Sequence, residues 1–194
     1  MPPFMSSPIV LASTSRYRRE LLARLGLAFS VDKPDVDEAQ TGSESPLVNC
    51  RRLALDKARV VAERHPAAIV IGSDQVLDLD GVALSKPGAF ATALDQLKRC
   101  QGRTIHCYTA LCVLSPGREP LIDVVATEVT YRTLPDATLI AYLQREQPFD
   151  AAGAVKVETA GITLLQAVKS DDPTAIIGLP LIRLTDFLRE LGSL

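Results

Sequence analysis

Two long β-like runs, residues 103–114 and 121–133, lie on either side of SPGREP, a turn bearing both Pro and Gly. That spacing predicts one large hairpin. Strand-like and helix-like stretches alternate on both flanks of it. The first apolar run, 8–13, leads into a helix over 16–25 that Gly26 ends, and LAFSV at 27–31 has strand character. Ser45 followed by Pro46 is an N-cap and first-turn pair, and the helix it opens stops at His65-Pro66. AAIVIG, 67–72, is a short buried strand, and Asp80-Gly81 is a hairpin turn. Residues 88–99 are helical, Pro135 starts a helix reaching Gln147, and GITLLQAV, 161–168, is a late strand. A last amphipathic helix opens at Pro180, carries Leu181, Leu184, Phe187 and Leu188 on one face, and closes at Gly192. A hairpin set between βα alternations cannot join a purely parallel sheet. The pattern predicts an α/β protein with a mixed sheet, its helices leaving a cleft between two lobes.

The 194 residues are 47% hydrophobic, enough for an ordinary core. The net charge of −2 gives no electrostatic reason to bind a nucleic acid polymer. No apolar run approaches the ~18 residues of a membrane span, and MPPFMSSP lacks the basic and apolar regions of a signal peptide. Residues 1–7 are expected to be a loose leader before one domain, 8–194. Cys50, Cys100, Cys107 and Cys112 form no C-x-x-C pair and have no histidine at ligand spacing. They are expected to be buried thiols of a reducing cytoplasm.

Three stretches could carry chemistry. In VLASTSRYRRELL, Arg16, Arg18 and Arg19 crowd the first turn of a helix, where the backbone is already partly positive. Either an anion binds at that turn with Ser13, Ser15 and the guanidiniums around it, or the arginines splay into solvent and a serine merely caps the helix. In IVIGSDQV, Asp74 sits just past a buried strand, where α/β sites collect. It can hold a cation or deprotonate water, or it can cap its own turn. In PDVDE, Asp35, Asp37 and Glu38 form an acidic loop that is either solvated or a second source of a metal-binding carboxylate. Lys57, flanked by Ala54, Ala58 and Val61, and Lys86, fixed before Pro87, can each meet a phosphate as a point charge. His65 stands at a helix end, where a histidine can meet terminal carbonyls, and neither it nor His106 lies near a Ser or Cys with a matching acid.

LASTSRYRRELL, PDVDE, LALDKA, IGSDQV, SKP, AGAVKVE and IIGLPL stand in an order and spacing that resembles the Maf-type nucleoside triphosphate pyrophosphatases, from about residue 8 to 192. The resemblance implies a fold similar to inosine triphosphate pyrophosphatases: an elongated mixed sheet flanked by helices, with two lobes around a deep cleft. It implies hydrolysis between the α and β phosphates with Mg or Mn, in the cytoplasm and in some members as a homodimer. It assigns Ser13, Arg18, Arg19, Lys57 and Lys86 to phosphate binding, Asp74 to proton acceptance, and Glu38 with Asp74 to the metal. Tyr17, Gln75 and Glu158 stand where the family chooses its base. Their types resemble the YceF-like branch, associated with 7-methyl-GTP. A cationic methylated guanine suits an aromatic face, and a glutamate can accept from its N1–H and amine. The chain departs from that branch in three places: Val155 precedes the lysine, Thr159 replaces a glycine after Glu158, and Thr174 replaces an asparagine. Pyrophosphatases of dTTP or UTP, and a regulatory nucleotide-binding protein of division arrest, are the alternatives.

Overall fold

The first strand, β1 (Ile9–Ala12), is buried at every position, as a run of four apolar residues in the middle of a sheet must be. The structure, a computed structural model, describes residues 7–39 and 44–194. The expected leader over 1–7 therefore lies almost wholly outside the described residues. Ser15 caps α1 (Arg16–Ala23) by accepting the Arg18 N–H, and Gly26 ends the turn beyond it at φ +68°. β2 (Phe29–Asp32) pairs with β1 in parallel and begins two residues later than LAFSV suggests. Leu27 and Ala28 bring the chain back from the Gly26 turn to the sheet edge.

α2 (Pro46–Arg64) is capped by the Ser45 hydroxyl, with Pro46 in its first turn. β3 (Ile69–Leu79) corrects an expectation. It is eleven residues long and does not stop at Gly72. β5 (Thr104–Leu114) pairs with it antiparallel from Val70–Leu114 to Asp78–His106, and this ladder carries the strand through Ser73 and Asp74. Asp74 is thus inside a strand, not past its end. The Asp80-Gly81 turn, both residues at positive φ, joins β3 to the short β4 (Val82–Leu84). α3 (Phe90–Cys100) follows, and β5 forms the expected hairpin with β6 (Leu121–Tyr131).

α4 (Asp136–Glu146) starts at Pro135. β7 (Leu165–Ser170) is shorter than GITLLQAV implies. Residues 160–164 form a 3-10 turn, with Gly161 so close to Lys156 that a Cβ would stand 2.4 Å from its carbonyl oxygen. α5 (Leu181–Glu190) closes the chain. The sheet order is β2-β1-β3-β5-β6-β7, with β4 also on β3, and among the described residues the parallel pairs are those of β1.

Three cores hold this mixed sheet. One, with Leu11, Ile71, Leu184 and Leu188, packs α1 and α5 on one face of its parallel end. A second, with Val10, Ala54, Ala58 and Val70, packs α2 on the other face. The third, with Leu79, Leu97, Ile105 and Leu143, packs α3 and α4 at the hairpin end. The cleft runs between these ends. All four cysteines are buried free thiols, as expected. Among the described residues no helix is long and apolar enough to cross a membrane.

Gly72 decides how deep α2 sits. A Cβ there would lie 2.4 Å from the Ala54 carbonyl oxygen and 2.8 Å from the Ala58 methyl. Both are rigid parts of α2. Gly72→Ala should therefore lift the helix off β3 and cost about 1–3 kcal/mol, the usual price of overpacking. Urea unfolding checks this; a variant as stable as the parent would show that the helix can move without loss.

Candidate active site

β1 ends opposite Gly72, and β4 joins β3 only at Leu77. Between them one edge of β3 lies open, and a cleft of about 1300 Å³ opens there. Successive β3 side chains point to opposite faces. Asp74 faces α2, which the absent Gly72 side chain lets approach. Lys57 of α2 reaches it, Nζ to Oδ1 at 2.7 Å. The same ammonium lies 2.7 Å from Glu38 Oε1. Lys57 and Asp74 are buried, whereas the Glu38 side chain is 54% exposed. Of the acidic loop's carboxylates, Asp35 and Glu38 line the cleft, and Glu38 is the one that reaches Lys57. Asp35 pairs with Lys33, and Asp37 accepts the Ala39 N–H.

The two carboxylates on this one lysine are driven apart. Burial raises the Asp74 pKa and outweighs the attraction of Lys57 and Arg18, with Glu38 adding repulsion. For Glu38 the smaller burial also acts upward, but Lys57, Lys86 and Arg18 together overcome it and leave its pKa lowered. Such a split is how acid and base roles are divided between neighbouring groups.

The arginine-rich turn resolves into three different fates. Arg16 pairs with Glu20 in solvent at 2.6 Å. Arg19, expected beside the phosphate-binding residues, is exposed and is not among the residues lining the cleft. Only Arg18 turns inward, its Nε donating to the Gly178 carbonyl at 2.8 Å. Burial lowers its pKa, against the pull of Asp74, Cys50 and Glu38. A guanidinium remains charged through such a shift. Gly178 has φ +119°, and a Cβ there would meet Arg18 Nε at 3.4 Å. Ser13 is buried at the cleft, its Oγ accepting the Ser15 N–H at 3.1 Å. Lys86 is exposed and lines the cleft.

Tyr17, Gln75 and Glu158 line the same cleft. Gln75 is the least available of them. Its amide nitrogen lies 3.0 and 2.9 Å from the Ala175 and Ile176 carbonyls and 3.2 Å from Thr109 Oγ1, which ties it to the turn before Gly178. Glu158 is exposed at the mouth. Thr159, where a glycine was expected, has φ −126°, outside the left-handed region that calls for glycine. Thr174, in place of asparagine, is fully used: its hydroxyl lies 2.7 Å from Asp172 Oδ1 and 2.8 Å from the Leu179 carbonyl, and it accepts the Leu181 N–H. Asp172 in turn accepts the Ile182 and Arg183 N–H groups at the start of α5.

Sequence patterns missed Lys156 and Asp150. Both line the cleft, 2.8 Å apart. The signal for Lys156 was present in AGAVKVE, where a lysine stands two residues before the glutamate; Asp150 lies outside that motif. His65 does not meet helix carbonyls through its ring; Nε2 lies 2.8 Å from Asp32 Oδ2.

Among the described residues no three His, Cys, Asp or Glu side chains gather as a metal cage. Glu38 and Asp74 nevertheless fit a hard divalent cation. They bring two carboxylates to one point of the cleft. Mg²⁺ is commonly held by one or two carboxylates completed by substrate phosphates and water.

A buried carboxylate gripped by lysine, faced by an inward arginine and open to a deep cleft, defines an enzyme site for a polyanionic substrate. The comparisons give that class its family. The family model described as Maf-like protein matches residues 8–191. A protein of Cupriavidus pinatubonensis named 7-methyl-GTP pyrophosphatase is 51% identical over 95% of this chain and 93% of its own. One of the same name from Bordetella pertussis is 47% identical over 98% and 95%. The Staphylococcus aureus Ham1 protein overlays 64% of this chain and 71% of its own with a TM-score of 0.46 at 18% identity. The chain belongs to the Maf family.

Replacing Lys57 by Met should raise the Asp74 pKa still further, because Lys57 is among the groups that hold it down. Carboxyl ¹³C titration of the two proteins checks the sign. A lower pKa in the variant would overturn the assignment of Lys57 as the partner of Asp74.

Proposed function

We propose that this chain is a nucleoside triphosphate pyrophosphatase acting on 7-methyl-GTP, releasing 7-methyl-GMP and pyrophosphate. The observation that carries this is the shared cleft: the Lys57–Asp74–Glu38 cluster, inward Arg18 and the Tyr17–Glu158 wall open into one space. The names of the relatives support the substrate.

Arg18, Lys57 and Lys86 take the phosphates as fixed positive charges, and the Ser13 turn receives a phosphate oxygen beside the α1 N-terminus. Water attacks the α-phosphorus, Asp74 takes the proton, and the bond from the α-phosphorus to the bridging oxygen breaks as pyrophosphate leaves. A carboxylate whose pKa burial has raised is the stronger base for that transfer. Glu38 and Asp74 would hold Mg or Mn, which when bound supplies charge neutralisation at the phosphates. At the other end the ring of Tyr17 attracts the cationic methylated guanine, and the Glu158 carboxylate accepts from N1–H and the amine.

Two measurements test the reading. Pyrophosphate release from 7-methyl-GTP, GTP, dTTP and UTP with Mg or Mn should be fastest for 7-methyl-GTP. Preference for dTTP or UTP would reassign the substrate, and binding without turnover would favour a regulatory nucleotide-binding protein. Asp74→Asn should lower kcat by about 10²–10⁴-fold, the usual worth of a general base. The base works only when ionised and its pKa is raised. The parent rate should accordingly fall on acidification through a pKa above the ordinary aspartate range, and the residual rate of the variant should lack that limb. The apparent pKa belongs to the coupled Asp74–Lys57–Glu38 cluster.

A further inference from the structure

Arg16, Lys33 and Lys156 line the cleft without a part in the phosphate chemistry, and of these Lys156 has the least exposed side chain. The Lys156 side chain is only 15% exposed, whereas its partner Asp150 is 74% exposed. Lys156 is therefore set into the wall, and Asp150 covers it from the rim. Its backbone is built in place. The Tyr142 hydroxyl accepts the Lys156 N–H at 3.2 Å and donates to the Ala154 carbonyl at 3.1 Å. Ala154 holds φ +57° without being glycine, a strained conformation typical of positions the surroundings dictate. The Lys156 carbonyl receives the Thr159 N–H, and Gly161 closes against it. Burial alone would lower the Lys156 pKa, but Asp150, with smaller contributions from Tyr17 and Glu158, more than restores it. Those last two residues are thus its electrostatic neighbours. An ammonium carries three donors, and Asp150 engages one.

We propose that Lys156 is a specificity residue that donates to the O6 carbonyl of the bound purine while Glu158 accepts from N1–H and the 2-amino group. This rests on the guanine-nucleotide reading above. A guanine edge presents, in order, an acceptor and two donors. A carboxylate alone matches only the donors and repels O6. A donor beside it completes the match, and Lys156 supplies one two residues away on the same wall. A 6-amino purine would set its amine against the ammonium and its N1 lone pair against the carboxylate. Asp150 has its own part: it neutralises Lys156, so that the cationic methylated ring does not meet an unbalanced positive charge.

The test compares GTP with 2,6-diaminopurine riboside triphosphate, which exchanges the 6-oxo group for an amine, in parent, Lys156→Met and Lys156→Arg proteins. Lys156→Met should cut the GTP-over-diaminopurine ratio of kcat/KM by about 10–100-fold, mainly through KM, and Lys156→Arg should restore most of it. A merely structural lysine would slow both substrates together and leave the ratio unchanged, which would overturn the inference. Should Lys156→Met fail a thermal melt, Asp150→Asn serves instead. It should lower the 7-methyl-GTP-over-GTP ratio, and an unaltered ratio overturns the charge-balancing role. Failure of the underlying reading is seen separately, in the parent protein, as absence of pyrophosphate release from guanine nucleotides.

Discussion

Everything at this site depends on one buried lysine ammonium held between a buried carboxylate, Asp74, and a half-exposed one, Glu38. Burying the ammonium and the Asp74 carboxylate is costly, and such pairs seldom repay their desolvation as stability. Lys57 and Asp74 are placed together by backbone rather than by attraction. α2 lies close enough only because β3 has a glycine at 72, directly under Ala54 and Ala58. Asp74 is accessible only because β1 ends opposite that glycine while β3 continues. Strand length and one missing Cβ therefore set the chemistry.

The alternation of β3 gives the strand two separate duties. Asp74 faces α2. Ser73 and Gln75 face the turn around Gly178, where the Ser73 hydroxyl lies 2.9 Å from the carbonyl that Arg18 also engages. Asp172 and Thr174 anchor that turn to the start of α5. A carbonyl far along the chain thus orients the arginine that enters the cleft, while the serine beside it in the ladder keeps that carbonyl in place. This explains why IIGLPL accompanies the first motif: one supplies the cation and the other its direction.

Local chemistry was legible in the sequence wherever it was local. Caps at Ser15 and Ser45, the Asp80-Gly81 turn and the long hairpin are short-range patterns, and all formed. The mixed sheet followed from them. What could not be read was decided by distant partners. β3 outran its apolar segment because β5 pairs along it. The arginines of α1 are alike in sequence, and only the carbonyl at Gly178 separates Arg18 from Arg16 and Arg19. GITLLQAV has strand composition, but its first residues close the loop around Lys156 instead. In the site, Asp74, Glu38 and Lys57 were named from their motifs, but their meeting at one ammonium was not visible. Lys156 was hidden for a different reason: its place in the wall is set by the Tyr142 hydroxyl, which joins its N–H to the Ala154 carbonyl, a contact from another element.

Charge accounting points to the remaining requirement of the cleft. Lys57 is already neutralised twice over, and Lys156 once. Of the cations on the phosphate side, Arg18 and Lys86 have no ion-pair partner among the described residues. A nucleoside triphosphate brings more negative charge than those two can balance, and the chain as a whole is itself negative. Freeing Lys57 for the phosphates requires Glu38 and Asp74 to be neutralised by something else. Hard carboxylate oxygens suit a small divalent cation, which under the proposed function would take that place. On the proposed function, the same pair of acids that neutralises Lys57 would make substrate binding depend on added positive charge.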